Sequence, residues 1–343
     1  MSFRFCDSFD HYTTAQIFRK WTVAPNTTIN TISGRSGGGA LVQGAGGQCS
    51  KTLDHQSEWF LGVAFTEDTE PTSVGLLFIA NCSTGLCTLV MNADHTFSIV
   101  AGNGGVVATS EFALEISFGS YNYAELHAVL SGSNPILLTA TAKINGQVVA
   151  TCSNSSTATN SSSLLSDSAT ANVVGVGAAV NSFCHMTYDD FYACDGQVDG
   201  FGHNAFLGDV RIEYILPNAD VTTNFTKVGG DGTHAYTCVN DVPPDDDTSY
   251  IHDATAGDTE EFDWQSISSF AGTVVAVQYS VYARKDDEGS KTFKSTQNGS
   301  AFGTLFYMSD FYVYYINALD SDGGVAWTVT NFNSTTWGLK VES

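Results

Sequence analysis

The chain has 343 residues, 43% of them hydrophobic, and sets 36 Asp and Glu against 13 Lys and Arg for a net charge of −23. Its length suits about two domains of ~100–200 residues, each large enough to bury a core. The charge excludes a nucleic-acid binder, which needs clustered cations to displace counterions, and disfavours an anionic membrane surface.

Gly (33), Phe (22) and Tyr (14) are abundant and Pro (6) is scarce, as in chains built of many short strands joined by Gly, Asn and Ser turns. The opening Met1-Ser2-Phe3-Arg4-Phe5-Cys6-Asp7 lacks a basic region followed by a long apolar stretch. No run approaches the ~18 apolar residues of a membrane span. The expectation is therefore synthesis in a cytosol, without membrane insertion.

Residues 13–19 and 110–117 are the two stretches that suit a short helix or turn; elsewhere the pattern is alternation in short runs. Residues 58–65 (Glu-Trp-Phe-Leu-Gly-Val-Ala-Phe) predict a buried strand. Residues 75–80, 88–91 and 96–100 predict a three-stranded meander, and 123–131 a longer strand. Residues 137–144 and 147–152 flank Asn145-Gly146, the strongest short hairpin signal in the chain. The Ser/Thr/Asn-rich stretch 153–168 predicts an exposed loop, and β alternation resumes at 173–180 and 186–194. A Gly- and Asp-rich linker at 195–204 separates the second half. There, strands are expected at 208–216, 273–284, 302–308, 311–316, 325–329 and 337–341, with a polar, turn-rich stretch from 217 to 263. No repeat of 20 to 50 residues is present, which excludes propellers and solenoids.

The first half resembles the concanavalin A-like, laminin-G-type jelly roll. The resemblance is carried, in order, by Phe5-Cys6-Asp7-Ser8-Phe9-Asp10, the strand Trp59 to Phe65, Glu125 in its strand, Lys143-Ile144-Asn145-Gly146, and Tyr188-Asp189-Asp190-Phe191-Tyr192. It implies that the first and last strands are neighbours. The second half is similar to modules of tailed-bacteriophage virion proteins at 206–212, 247–251, 277–285, Ala326-Trp327-Thr328 and 337–341. That similarity implies a structural or host-recognition part of a phage particle.

The chemistry-bearing residues argue against catalysis. A glycosidase needs two carboxylates roughly 5 to 9 Å apart across the sugar. Glu111 and Glu115 have the spacing but not a strand, and Glu260, Glu261 and Asp263 read as a polar loop. There is no G-x-S-x-G, and the eight His are scattered. The glycines at 37–39 and 44–47 lack the Lys and following helix of a phosphate loop. Asp245, Asp246 and Asp247 offer hard oxygens that would suit Ca²⁺, against the plainer reading of a solvated acidic turn. Of eight cysteines, Cys82 and Cys87 flank a short loop, and Cys6 and Cys194 meet if the first and last strands pair. Both are read as close pairs, either disulfides formed in an oxidising exterior or, equally, buried free thiols acting as small hydrophobes. The sequons at Asn81, Asn154, Asn160, Asn224, Asn298 and Asn333 read as chance in an Asn/Ser/Thr-rich chain. Trp59, Trp327 and Trp337 are candidates for stacking on sugar, weighed against core positions.

The expectation is an all-β protein of two β-sandwich domains, residues 1–195 a laminin-G-like jelly roll and 196–343 a smaller jelly-roll-like sandwich. Its expected role is a structural protein on the surface of a tailed-phage virion, as head decoration, tail fibre or baseplate component, assembled in the bacterial host cytoplasm. It would be non-enzymatic and cofactor-free unless calcium binds. Its partners would be other virion proteins and its own copies, a homotrimer joined through edge strands, and a host surface glycan. The competing expectation is a lectin-like carbohydrate-binding module; a glycoside hydrolase ranks third.

Overall fold

A computed structural model describes residues 2–67, 73–102, 104–116, 119–133, 135–158, 169–177, 185–267 and 272–343. The chain is nearly all β and divides into two compact units, Met1–Ile212 and Glu213–Ser343. The first unit therefore runs past the linker expected from the sequence, because residues 201–212 lie along its own sheet.

The first unit contains β1 (Phe3–Asp7), a 3-10 turn (Thr14–Gln16) leading into α1 (Ile17–Lys20), β2 (Thr27–Asn30), β3 (Ala40–Gln43), β4 (Gln48–Gln56) and β5 (Glu58–Glu67). It continues with β6 (Val74–Asn81), β7 (Thr84–Met91), β8 (Phe97–Ala101), β9 (Val106–Thr109), β10 (Asn122–Ser131), β11 (Ile136–Ile144), β12 (Gln147–Ala158), β13 (Ala171–Gly177) and β14 (Met186–Asp195). Two antiparallel sheets form: β12-β11-β10-β5-β14-β3-β2, with β1 also on β14, and β4-β13-β6-β7-β8-β9. The first and last strands do pair. One edge of β14 serves two partners: β3 takes Met186 to Tyr188 and β1 takes Phe191 to Cys194.

The two sheets face each other across the side chains their alternation turns inward. From the larger sheet, Trp59 donates its indole N–H to the Ala171 carbonyl (3.1 Å) and Tyr188 its hydroxyl to the Gly75 carbonyl (2.9 Å), both on the smaller sheet. Asn145 and Gly146 both take positive φ (49° and 77°), so the expected hairpin closes in two residues. The 3-10 turn and α1 are tied to β1 by a buried network. The Asp7 carboxylate accepts from Lys20 Nζ (2.9 Å), the Tyr12 hydroxyl (2.6 Å), the Trp21 indole (2.6 Å) and the Phe9 amide (3.0 Å). Burial works to raise the Asp7 carboxyl, but Lys20, His11 and Tyr12 outweigh it and hold it below the ordinary value.

The second unit contains β15 (Pro217–Thr222), β16 (Thr226–Val228), a 3-10 turn (Ala235–Cys238), β17 (Tyr250–His252), β18 (Thr259–Trp264) and β19 (Val277–Ala283). It ends with β20 (Thr292–Gln297), β21 (Ser300–Tyr307), β22 (Val313–Leu319), α2 (Val329–Asn333) and β23 (Trp337–Val341). A five-stranded sheet, β15-β18-β23-β20-β21, accompanies the pairs β16-β17 and β19-β22. Its core is a ring cluster in which Tyr279 stacks on Trp337 (5.6 Å), with Trp327 and Phe302 each 5.8 Å from the Trp337 ring.

Several local expectations change. Residues 110–116 are not helical, 208–216 and 325–328 are not strands, and the supposed loop at Glu260, Glu261 and Asp263 is strand β18. The structure buries these glutamates because backbone amides need them: Glu260 accepts from Asn224 and Phe225 (2.8 and 2.9 Å) and Glu261 from Gly299 (2.7 Å). The edge strands β9, β12, β15 and β21 all carry register shifts, as does the pairing of β4, while β2 is four residues long. The pair β19-β22, seven residues each in unbroken register, keeps regular outer edges among the described strands.

Candidate functional site

Strand β10 alternates strictly. Ala124, Leu126, Ala128 and Leu130 face the core, so Tyr123, Glu125 and His127 stand on the outer face of the larger sheet. The ladder sets Glu125 opposite Gly62 and Lys143, and His127 opposite Phe60 and Thr141. Gly62 is required by packing: a Cβ there would fall 2.1 Å from the Tyr192 ring, which lies across it. Tyr192 in turn donates its hydroxyl to Glu125 (2.7 Å) and lies over against Tyr123, rings 6.5 Å apart. A tyrosine, a carboxylate and an imidazole thus converge where a ligand could lie on the sheet.

That face is already occupied. Residues 201–212 run across it as a strap. The Gly208 amide donates to the same Glu125 oxygen (2.8 Å), and the Leu207 amide to the Tyr192 hydroxyl (3.2 Å). Phe206 packs edge-on against Phe60 (5.8 Å) and His127 (6.0 Å), with Lys143 Nζ 4.2 Å from its ring centre. His127 also stacks on Phe60 (4.1 Å) and bonds Glu58 (2.8 Å). Glu125 is 2% exposed, and its Oε1 is held by two donors of this chain. Burial, with Glu125 beside it, pushes the Tyr192 phenol well up, so it stays a hydrogen-bond donor.

The strap is anchored at the bulge in β14. Asp189 pairs with Ala64 but Tyr192 with Gly62, so one extra residue is accommodated, and Asp190 takes φ 51°. The bulge turns two buried carboxylates toward the strap. Asp189 accepts the amides of Arg35 (2.7 Å) and Asp190 (2.8 Å). Asp190 accepts the Ile212 amide (2.7 Å) and lies 3.4 Å from the Arg35 guanidinium, which also reaches Asp209 (2.6 Å) and the Val210 carbonyl (3.2 Å). Burial raises both carboxyls above the ordinary range, and the charge of Asp190 raises Asp189 further; the Ile212 amide and Arg35 pull Asp190 partly back. All four oxygens are engaged by protein donors, so the pair acts as a hub that pins the strap.

The other residues singled out from the sequence lie elsewhere. Cys6 stands opposite Tyr192 and Cys194 opposite Phe3, so their strands pair while their side chains do not face each other. Strands β6 and β7 run closer to their turn than the spacing suggested. Cys87 therefore lies inside β7 opposite Ile79, and Cys82 sits in the turn with φ 52°. The described cysteines, Cys6, Cys49, Cys82, Cys87, Cys152, Cys194 and Cys238, are all thiols; Cys184 lies outside the described residues. Asp245, Asp246 and Asp247 are directed to separate protein partners rather than to a shared point. Asp245 accepts from Ser249 (3.0 Å), Asp246 from the Tyr282 hydroxyl (2.6 Å), and Asp247 from Arg284 and the Tyr312 hydroxyl (both 2.8 Å). Trp59, Trp327 and Trp337 are buried core residues and offer no face to a sugar. The convergence of Glu125, Tyr192 and His127 went unread. Its local signal is Tyr123, Glu125 and His127 at spacing two on one face of β10, while Tyr192 comes from β14.

No protein-family model and no curated protein matches the chain. Among solved structures it is similar to the cellulose-induced protein Cip1, at 12% identity and TM-score 0.40, covering 60% of this chain and 99% of that one. It is also similar to an endo-β-1,4-glucuronan lyase from the fungus Trichoderma reesei, at 17% identity and TM-score 0.39, over 57% and 96% of the two chains. A third is a Bacillus subtilis protein of unknown function with a galectin-like fold, at 11% identity and TM-score 0.37, over 57% and 96%. Likeness of this degree assigns no chemistry to the chain.

Proposed function

We propose that this chain is a non-catalytic structural protein displayed on a particle surface, a tailed-phage virion being the assembly that the sequence resemblance of its second half suggests. The observation that carries the reading is the strap. The described face that gathers Glu125, Tyr192 and His127 is closed by the chain's own Phe206, Leu207 and Gly208. Glu125 and Tyr192, which could serve as acid and base there, are engaged in holding the strap. The acidic surface supports the same reading, since it keeps the chain off nucleic acid during assembly. Assembly as a homo-oligomer, a trimer foremost, fits this reading, and the regular outer edges of β19 and β22 are where strand pairing between copies would be available.

The test is to express the tagged chain during a phage infection and separate particles on a density gradient. The chain should band with particles and be labelled on their surface by immunogold microscopy. Its absence from particles, together with release of reducing or unsaturated ends from a polysaccharide that Glu125→Gln abolishes, would reverse the proposal in favour of an enzyme. A glycan-recognition role alongside the structural one is favoured by exposed aromatic rings in the second unit.

A further inference from the structure

Strand β1 and helix α1 set a carboxylate and an amine side by side in a pocket that water does not reach. Asp7 is 1% exposed and Lys20 3%, and Lys20 Nζ lies 2.9 Å from Asp7 Oδ1. The walls are aromatic. Phe5, Phe9 and Phe191 pack on Trp21 at 5.0, 5.8 and 5.3 Å, and Lys20 Nζ is 5.6 Å from the Phe5 ring centre and 5.9 Å from that of Tyr12.

The remaining polar groups divide the carboxylate into two unlike oxygens. Oδ2 accepts two neutral donors, the Tyr12 hydroxyl and the Trp21 indole (2.6 Å each). Burial pushes the Tyr12 phenol well up, so it stays a donor. Oδ1 faces the amine and also accepts the Phe9 amide (3.0 Å). His11 Nε2 lies 3.2 Å from Lys20 Nζ. Burial, then the Lys20 charge, pushes the His11 imidazole down to about 3, so it is neutral and passes a proton on rather than keeping it. The neighbouring Lys51 is turned to the Lys20 carbonyl (2.5 Å).

We propose that Lys20 and Asp7 condense into an intramolecular isopeptide bond, Nζ to Cγ, that ties α1 covalently to β1. The dry pocket withholds the hydration that favours an ion pair, which brings the neutral amine and acid within reach. Lys20 passes one proton to Asp7 Oδ1, and the freed Nζ lone pair attacks Cγ. The carbonyl electrons move onto Oδ2, where Tyr12 and Trp21 stabilise the charge. Nζ gives a second proton to His11 Nε2, which returns it to Oδ1, and Oδ1 leaves as water. The carbonyl re-forms on Oδ2, between the same two donors. The ammonium and carboxylate are thus exchanged for one amide and one water, with His11 restored and no other reactant. Groups held together in this way react as though at ~10⁵–10⁸ M, which offsets the opposition of water to amide formation. The bond depends on these side chains alone, so its presence or absence leaves the particle test untouched.

The full chain is purified, denatured and weighed by mass spectrometry. It should fall short of its sequence mass by one water. Trypsin should release residues 5–19 joined to 20–35 as one branched peptide, because an acylated Lys20 is not cleaved. Lys20→Arg keeps the cation but cannot form the amide, and should restore the sequence mass. In pulse-labelled chains, His11→Phe should form the bond at least about a hundredfold more slowly. The proposal fails if the parent carries its full sequence mass and is cut after Lys20. It fails equally if the water is lost within peptide 5–19 alone, which would mark a succinimide at Asp7-Ser8. The same deficit in Lys20→Arg, or an unchanged rate in His11→Phe, would also overturn it. The branched peptide is sought in the parent chain, so a variant that folds poorly leaves the decisive result intact.

Discussion

The two units solve the same burial problem differently. In the first, β5, β6, β13 and β14 are buried along almost their whole length. Two sheets cover each other's inner faces, and the strap covers part of the outer face of the larger one, so polar residues such as Glu125 and Asp190 are enclosed and must be bonded. In the second, β19, β21 and β22 are half-exposed, and cohesion is concentrated in rings around Tyr279 and Trp337. The contrast teaches that both units bond their buried carboxylates, Glu260 and Glu261 in the second as Glu125 and Asp190 in the first, while the smaller unit centres its cohesion on a few aromatic side chains and leaves others at its surface.

Two substitutions should separate the units most strongly. Asp7→Ala leaves the Lys20 ammonium buried without its carboxylate and should cost the first unit about 3–5 kcal/mol. Trp337→Ala empties the ring cluster and should cost the second unit about 3–5 kcal/mol. Calorimetry should show each variant lowering a different transition. A single transition shifted by both would show that the units unfold together and would end the comparison.

Smaller effects sharpen it. Phe206→Ala should cost about 1–2 kcal/mol, from the apolar area it uncovers, and speed hydrogen exchange at the Gly208 amide without altering the second unit. Unchanged exchange there would show that Phe206 does not hold the strap.

The Asp189–Asp190 pair predicts a pH trend confined to the first unit. An acid whose folded pKa is raised contributes stability that is full below its unfolded value and is lost as pH rises through the folded one. For this pair the window runs from about 4 to about 8. The first unit's melting temperature should fall across it, and Arg35→Ala should steepen the fall by removing the nearby cation. A flat profile would mean that the hydrogen bonds to the four oxygens outweigh burial.

The smallest effect concerns the thiols. Cys82 in its exposed turn should react first with a thiol reagent, and buried Cys49 and Cys87 only on unfolding. Cys82→Ser should change stability by less than about 0.5 kcal/mol.

Period-two alternation and turn chemistry were legible without coordinates. The all-β class, the Asn145-Gly146 hairpin, the meander β6-β7-β8 and the pairing of the first and last strands all follow from local pattern or from the order of resembling motifs. These are properties of neighbouring residues, which alternation and positive-φ turns dictate directly. Register was not legible. A shift between Phe3 and Phe5 and a two-residue shortening of the β6-β7 turn leave composition untouched, yet they decide which side chains face: Cys6 stands opposite Tyr192, Cys194 opposite Phe3 and Cys87 opposite Ile79.

Nor could alternation distinguish strand from strap. Residues 208–212 carry a strand's pattern, but only the folded sheet supplies the Glu125, Tyr192 and Asp190 acceptors that capture their neighbourhood's amides. The chain alone determined which residues must be buried. Tertiary structure decided what covers them, because a hydrogen bond between residues tens of positions apart exists only once both ends have been brought together.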